Sequence, residues 1–203
     1  MRPAMAAFLV LLLSMGCGSA SSPASTTSPT SEDPGSPAGS GGTSSLTVSL
    51  KDSPFSDARA LLVTFSEVNV HASGGGWVTL PFAGGASSRT CDLKKLQAAQ
   101  DILGVGALPA GHYTQLRMVV SNAAIYFDNA SAGAPCAAAI AAPAGESADV
   151  DIPSGELKLN REFEIKGQAG TTILLDFDGD QSIHATGHGT FLMTPVVGII
   201  SVG

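Results

Sequence analysis

Residues 156–166, ELKLNREFEIK, alternate apolar and polar side chains: Leu157, Leu159, Phe163 and Ile165 fall on one side, and Glu156, Lys158, Asn160, Glu162, Glu164 and Lys166 on the other. A period of two places successive side chains on opposite faces of a pleated backbone and suits no helix, so the segment predicts a half-buried β-strand. Only Arg161 interrupts the apolar row. The alternation recurs in TQLRMVV, through Leu116, Met118 and Val120, and in TTILLDFD, where Ile173, Leu175 and Phe177 oppose Thr172, Asp176 and Asp178. In ALLVTFSEVNVHA the apolar parity switches from Leu61, Val63 and Phe65 to Val68 and Val70. That switch predicts a β-bulge near Ser66 and Glu67.

Further strands are expected at LTVSL, WVTLP, AAIYF, ADVDI and the terminal TFLMTPVVGIISV, separated by turn signals at GGG (74–76), PAG (109–111), PSG (153–155) and GDQS (179–182). One segment departs from the pattern. CDLKKLQAAQDIL carries Leu93, Leu96, Ile102 and Leu103 with Asp92 as an N-cap, and reads as a single short helix lying across an open end of the sheets. About nine short strands and one helix predict an all-β domain over residues 46–203, an antiparallel β-sandwich of immunoglobulin-like or transthyretin-like kind.

The amino-terminal part is an address. Residues 1–16 hold one charge, Arg2, before an apolar run from Ala4 to Leu13, too short for the about 20 residues of a bilayer-spanning helix and suited to a signal peptide. The run ends in LSMGC, which resembles the lipobox of bacterial lipoproteins, with Ser14 and Met15 departing from the usual residues. The resemblance implies cleavage before Cys17, acylation of Cys17, and a protein lipid-anchored to a bacterial membrane. Gly18 in place of Asp resembles lipoproteins sent to the outer membrane. Two or more acyl chains hold a protein where one does so marginally. An ordinary secretory signal, with Cys17 unmodified, is the alternative. From residue 18 to 45, 23 of 28 residues are Ser, Thr, Pro or Gly, and none is aromatic or branched aliphatic. Nothing there offsets the entropy of ordering a backbone, so residues 17–45 are expected to act as a lipidated, disordered tether spanning about 30 Å.

Ten Lys and Arg against seventeen Asp and Glu give a net charge of -7, which excludes sequence-independent nucleic-acid binding for want of a basic surface. With Cys17 committed to lipid, Cys91 and Cys136 remain in an exported domain. They are expected to pair across the helix, the alternative being two reduced core thiols.

Several pieces taken in order resemble the domain of unknown function 4382 family, common in bacterial lipoproteins: KDSPF (51–55), VNVH (68–71) before Trp77, CDLKKL, LPAGHYTQLRM (108–118), DIPSGELKL (151–159), and LLDFDGDQSI followed by FLMTPVV. The resemblance covers nearly all of 46–203 and implies an exported, lipid-anchored β-sandwich of no established activity. Leu157 to Asn160 depart from the family's run after PSG. PAGHY also resembles a turn of transthyretin-like sandwiches. Pro109 presets one dihedral and Gly111 admits positive φ, so Tyr113 can begin the next strand with its ring on the turn, a structural corner that needs no ligand.

Candidate chemistry centres on DFDGDQSIHATGH. Asp176 and Asp178 leave one face of a strand and Asp180 follows in the turn, a set that could hold Ca2+, against the alternative that they cap the strand end. It is no EF-hand, since no Glu stands at position twelve. His184 and His188 would add nitrogen ligands on a helix, but the glycines make this stretch a loop, and His71 and His112 are isolated. There is no G-x-S-x-G elbow, Walker loop or GxGxxG. Trp77, the single tryptophan, is either a sugar-stacking ring or, as favoured, a strand-edge core residue. The expected function is that of a non-enzymatic cell-envelope lipoprotein whose sandwich binds a ligand, an envelope protein or a carbohydrate. The alternatives are a metal-dependent hydrolase using Asp176, Asp178 and His184 or His188, and a purely structural envelope module.

Overall fold

The computed structural model describes residues 42–53, 58–167, 169–187 and 189–203. The expected signal peptide, Cys17, most of the tether and His188 lie outside the described residues. In chain order the strands are β1 (Thr43–Ser53), β2 (Ala60–Ala72), β3 (Trp77–Leu80), β4 (Arg89–Asp92), β5 (Asp101–Pro109), β6 (Gly111–Tyr126), β7 (Cys136–Ala137), β8 (Ser147–Asp151), β9 (Glu156–Ile165), β10 (Thr171–Asp178), β11 (Ile183–Gly187), β12 (Thr190–Met193) and β13 (Val197–Val202). Two one-turn α-helices, α1 (Leu93–Leu96) and α2 (Gly179–Ser182), and a 3-10 turn at Ala83–Gly85 complete the described elements.

The strands form two sheets, as an all-β sandwich requires. The smaller runs β13-β10-β1-β5 and the larger β11-β12-β8-β6-β2-β4-β7, with β3 also on β2 and β9 also on β6. The sheets are mixed and not purely antiparallel: β1 lies parallel to β10, from Leu46 beside Thr171 to Ser53 beside Asp178, and β12 lies parallel to β8. Strand order is set by which faces close the core, and alternation within one strand carries no record of its neighbour's direction.

The alternating segments bury the predicted faces. Leu157, Leu159, Phe163 and Ile165 of β9, Ile173, Leu175 and Phe177 of β10, and Leu116, Met118 and Val120 of β6 all enter one core with Leu46, Val48 and Leu50 of β1. Each such side chain contributes about 1.5–3 kcal/mol when fully buried. The parity switch in β2 has its expected cause, a register shift between Phe65 and Glu67 against β6. TQLRMVV and AAIYF, expected as two strands, are one strand, because a second shift beside Thr64 lets β6 run on through Ser121 and Asn122.

The helix is shorter than expected. Asp92 does cap α1, its carboxylate accepting from the Lys94 N–H at 3.1 Å. Gln97 to Gln100 offer no apolar side chain larger than the methyls of Ala98 and Ala99, and Asp101–Ile102–Leu103 form the start of β5 on β1 instead of extending the helix. The terminal run is likewise two strands in two sheets. Around Pro195 the chain crosses over, the amides of Thr194 and Val196 donating to the carbonyl and hydroxyl of Ser182. Cys91 and Cys136 stand opposite each other on β4 and β7 and are joined as a disulfide. Closing a loop with sequence separation 45 stabilises the fold by roughly 4 kcal/mol in the loop-entropy account.

Candidate ligand-binding face

The outward face of the larger sheet is built from β3, β2, β6 and β9. Strand register lines up Trp77, His71, Gln115 and Asn160 in one row, and Thr79, Asn69, Arg117 and Lys158 in the next. Trp77 is not a core residue: pairing with His71 turns it to the solvent side of the sheet, where it stays 37% exposed, while Leu80 alone of β3 is buried. The Arg117 guanidinium sits 4.4 Å from the indole centroid and the His71 ring meets it edge-on at 5.0 Å. A cation over an aromatic face contributes about 0.5–1 kcal/mol at an exposed site. His71 Nδ1 is in turn 3.1 Å from Thr114 Oγ1.

The neighbouring row is fixed by its own hydrogen bonds. Thr79 Oγ1 donates to Asn69 Oδ1 at 2.6 Å, Asn69 Nδ2 donates to Glu67 Oε2 at 2.9 Å, and Glu156 receives Lys158 at 2.5 Å and Arg117 at 3.6 Å. The ring and its polar neighbours are thereby held in place before any ligand arrives.

Beside Trp77 a cleft of about 270 Å³ opens between the β2–β3 and β5–β6 turns, walled by Ala72, Trp77, Pro109, Ala110 and His112. His112 bonds Glu164 through Nδ1 at 2.7 Å and lies 3.6 Å from Glu162 through Nε2. The β5–β6 turn is the structural corner the sequence suggests. The Tyr113 hydroxyl donates to the Pro109 carbonyl at 3.0 Å, and its ring stacks on Phe163 with centroids 5.5 Å apart.

The acidic motif is placed differently. Asp178 caps α2 by accepting from the Gln181 backbone N–H at 3.0 Å and from the Gln181 side-chain amide. Asp176 lies 3.5 Å from Lys51, and Asp180 is exposed on α2. His184 is exposed on strand β11, not in a loop. Among the described residues no group of three or more His, Cys, Asp or Glu side chains is placed to hold a metal ion.

Two residues of interest escaped the sequence reading. Arg117 looks like any charge on the solvent side of a strand, and only the register shows it reaching Trp77. Asp52 carried a legible signal, since it continues the even-numbered apolar row Leu46, Val48, Leu50. Its side chain is 3% exposed, Oδ2 accepts from Gln97 Nε2 at 3.4 Å, and Oδ1 has no partner among the described residues. Burial raises its carboxyl to about 7; the Asp176 charge adds to the rise, while Gln97, the Gly179 backbone N–H and Lys94 oppose it. It does not line the Trp77 cleft.

Fold and surface together define a two-sheet β-sandwich module carrying the exposed Trp77 ring among polar side chains on the outward face of its larger sheet. Residues 43–195 match the family described as Domain of unknown function (DUF4382), and the chain belongs to that family. Comparison with curated proteins and with solved structures finds no match.

Proposed function

We propose that the protein is a non-catalytic cell-envelope module, anchored through acylated Cys17 and its Ser/Thr/Pro/Gly spacer, that binds a polysaccharide on the Trp77 face. The observation that supports this reading is the exposed indole of Trp77, fixed by Arg117 and His71 within a plane of amide, hydroxyl and charged side chains. A sugar ring presents an apolar C–H face that stacks on an indole and a rim of hydroxyls that need donors and acceptors. Gln115, Asn160, His71 and Lys158, in two neighbouring rows of the sheet, supply that rim, and the 270 Å³ cleft beside the ring gives room for a chain end. A pre-ordered surface of this kind binds without the proton-transfer partners a hydrolase requires.

The test is binding of the full chain to soluble envelope and plant polysaccharides by calorimetry, with Trp77→Ala and Trp77→Phe compared. Removing a central aromatic anchor costs about 2 kcal/mol or more, so Trp77→Ala should weaken binding at least about thirtyfold while Trp77→Phe retains part of it. Equal affinity in both variants would refute the reading. For the anchor, Cys17→Ser should release the protein from membranes, and retention there would refute acylation.

A further inference from the structure

The longest described strand has a gap along one edge. β9 pairs with β6 from Gly111 to Val119, and β8 pairs with the same edge from Ala124 to Tyr126. Over residues 152–155 the chain between β8 and β9 leaves the ladder, because Pro153 has no N–H to donate and Gly155 turns at φ 60°. The Val120 N–H is taken by the Gly155 carbonyl at 2.9 Å, and no described strand pairs Ser121, Asn122 or Ala123 on this side.

A cleft of about 430 Å³ fills that gap. Val120, Val150 and Phe191 give it apolar walls, while Asp149 and Asp151, two residues apart on β8, stand exposed at its rim. Neither carboxylate has an ion pair or hydrogen bond among the described residues, whereas the acidic side chains of the Trp77 face, Glu67 and Glu156, are engaged. An unpaired strand edge asks for an extended backbone, apolar walls ask for an aliphatic stem, and two free carboxylates ask for a cation at its end. A lysine or arginine in an extended segment supplies all three.

We propose that this cleft is a docking site for a basic, extended segment of a partner protein, which lies along β6 at residues 121–123 and sets a lysine or arginine side chain between Asp149 and Asp151. The attraction is between exposed charges and weakens with added salt. It is independent of the Trp77 face, which lines no part of this cleft.

The experiment titrates the full chain with a short blocked peptide of alternating valine and lysine, followed by calorimetry and by amide shifts in NMR. Binding should be saturable, should move the amides of residues 120–123 and 149–151, and should weaken at least about tenfold in Asp149→Asn/Asp151→Asn. Both side chains are exposed, so that variant should melt with the wild type. A peptide with glutamate in place of lysine should not bind, and Trp77→Ala should leave the affinity unchanged. Absence of binding, full affinity in the double variant, or shifts confined to other strands would overturn the proposal.

Discussion

Replacing Asp52 by asparagine keeps the shape of the side chain and removes its charge, which isolates the cost of burying a carboxylate at the end of the core. The folded-state carboxyl titrates near 7 against a reference value of 3.8. Between those values the folded protein holds a proton that the unfolded chain has released, so stability falls as pH rises through the window and the whole penalty is present above it. A displacement of about three units at about 1.36 kcal/mol each sets a ceiling of roughly 4 kcal/mol. Asparagine still offers Gln97 an acceptor, so Asp52→Asn should gain about 2–4 kcal/mol at pH 8.5 and almost nothing at pH 4. At about 2–4 °C per kcal/mol for a domain of this size, the melting temperature should rise on the order of 10 °C at the higher pH. Urea or thermal unfolding of both proteins across this range measures the difference directly. Parallel stability curves for the two, or a variant less stable at pH 8.5, would refute the reasoning.

Other expectations rest on single contacts. Asp92 is fully buried and accepts from the Leu61 N–H at 3.1 Å, the Lys94 N–H at 3.1 Å and the Ser131 hydroxyl at 2.6 Å. Asp92→Ala would leave those donors unsatisfied and should cost at least about 2–3 kcal/mol by urea denaturation, whereas a change within 0.5 kcal/mol would show that the network carries little. Paired replacement of Cys91 and Cys136 by serine should lower stability by about 2–5 kcal/mol, read by calorimetry, and a reducing agent should act on the wild type but not on the variant.

Much of the fold was readable where a segment obeys one rule along its length. β10 alternates cleanly, β9 does so but for Arg161, and the parity change in β2 marks its bulge. The errors fall where rules compete. Asp101–Ile102–Leu103 follow a helix start and read locally as its continuation, but β1 offers them a strand partner. The segment around Pro195 joins two strands of different sheets because hydrogen bonds to Ser182 fix the crossing, a tertiary effect with no local signature. Parallel pairing of β1 with β10 is likewise invisible, since alternation specifies a face and not a neighbour. At the candidate site the sequence offered Trp77 as a ring after three glycines, but its exposure depends on register with His71, and Arg117 joins it from a distant strand. Asp52 is the contrary case, a charged residue in an apolar row whose message was there to be read.

Because Trp77 is the single tryptophan of the chain, its emission reports on the proposed face without labels. Titration with a soluble polysaccharide that the protein binds should shift or quench that emission in a saturable way, with a midpoint matching the calorimetric affinity. Binding that leaves the emission unchanged would place the ligand elsewhere and contradict the account.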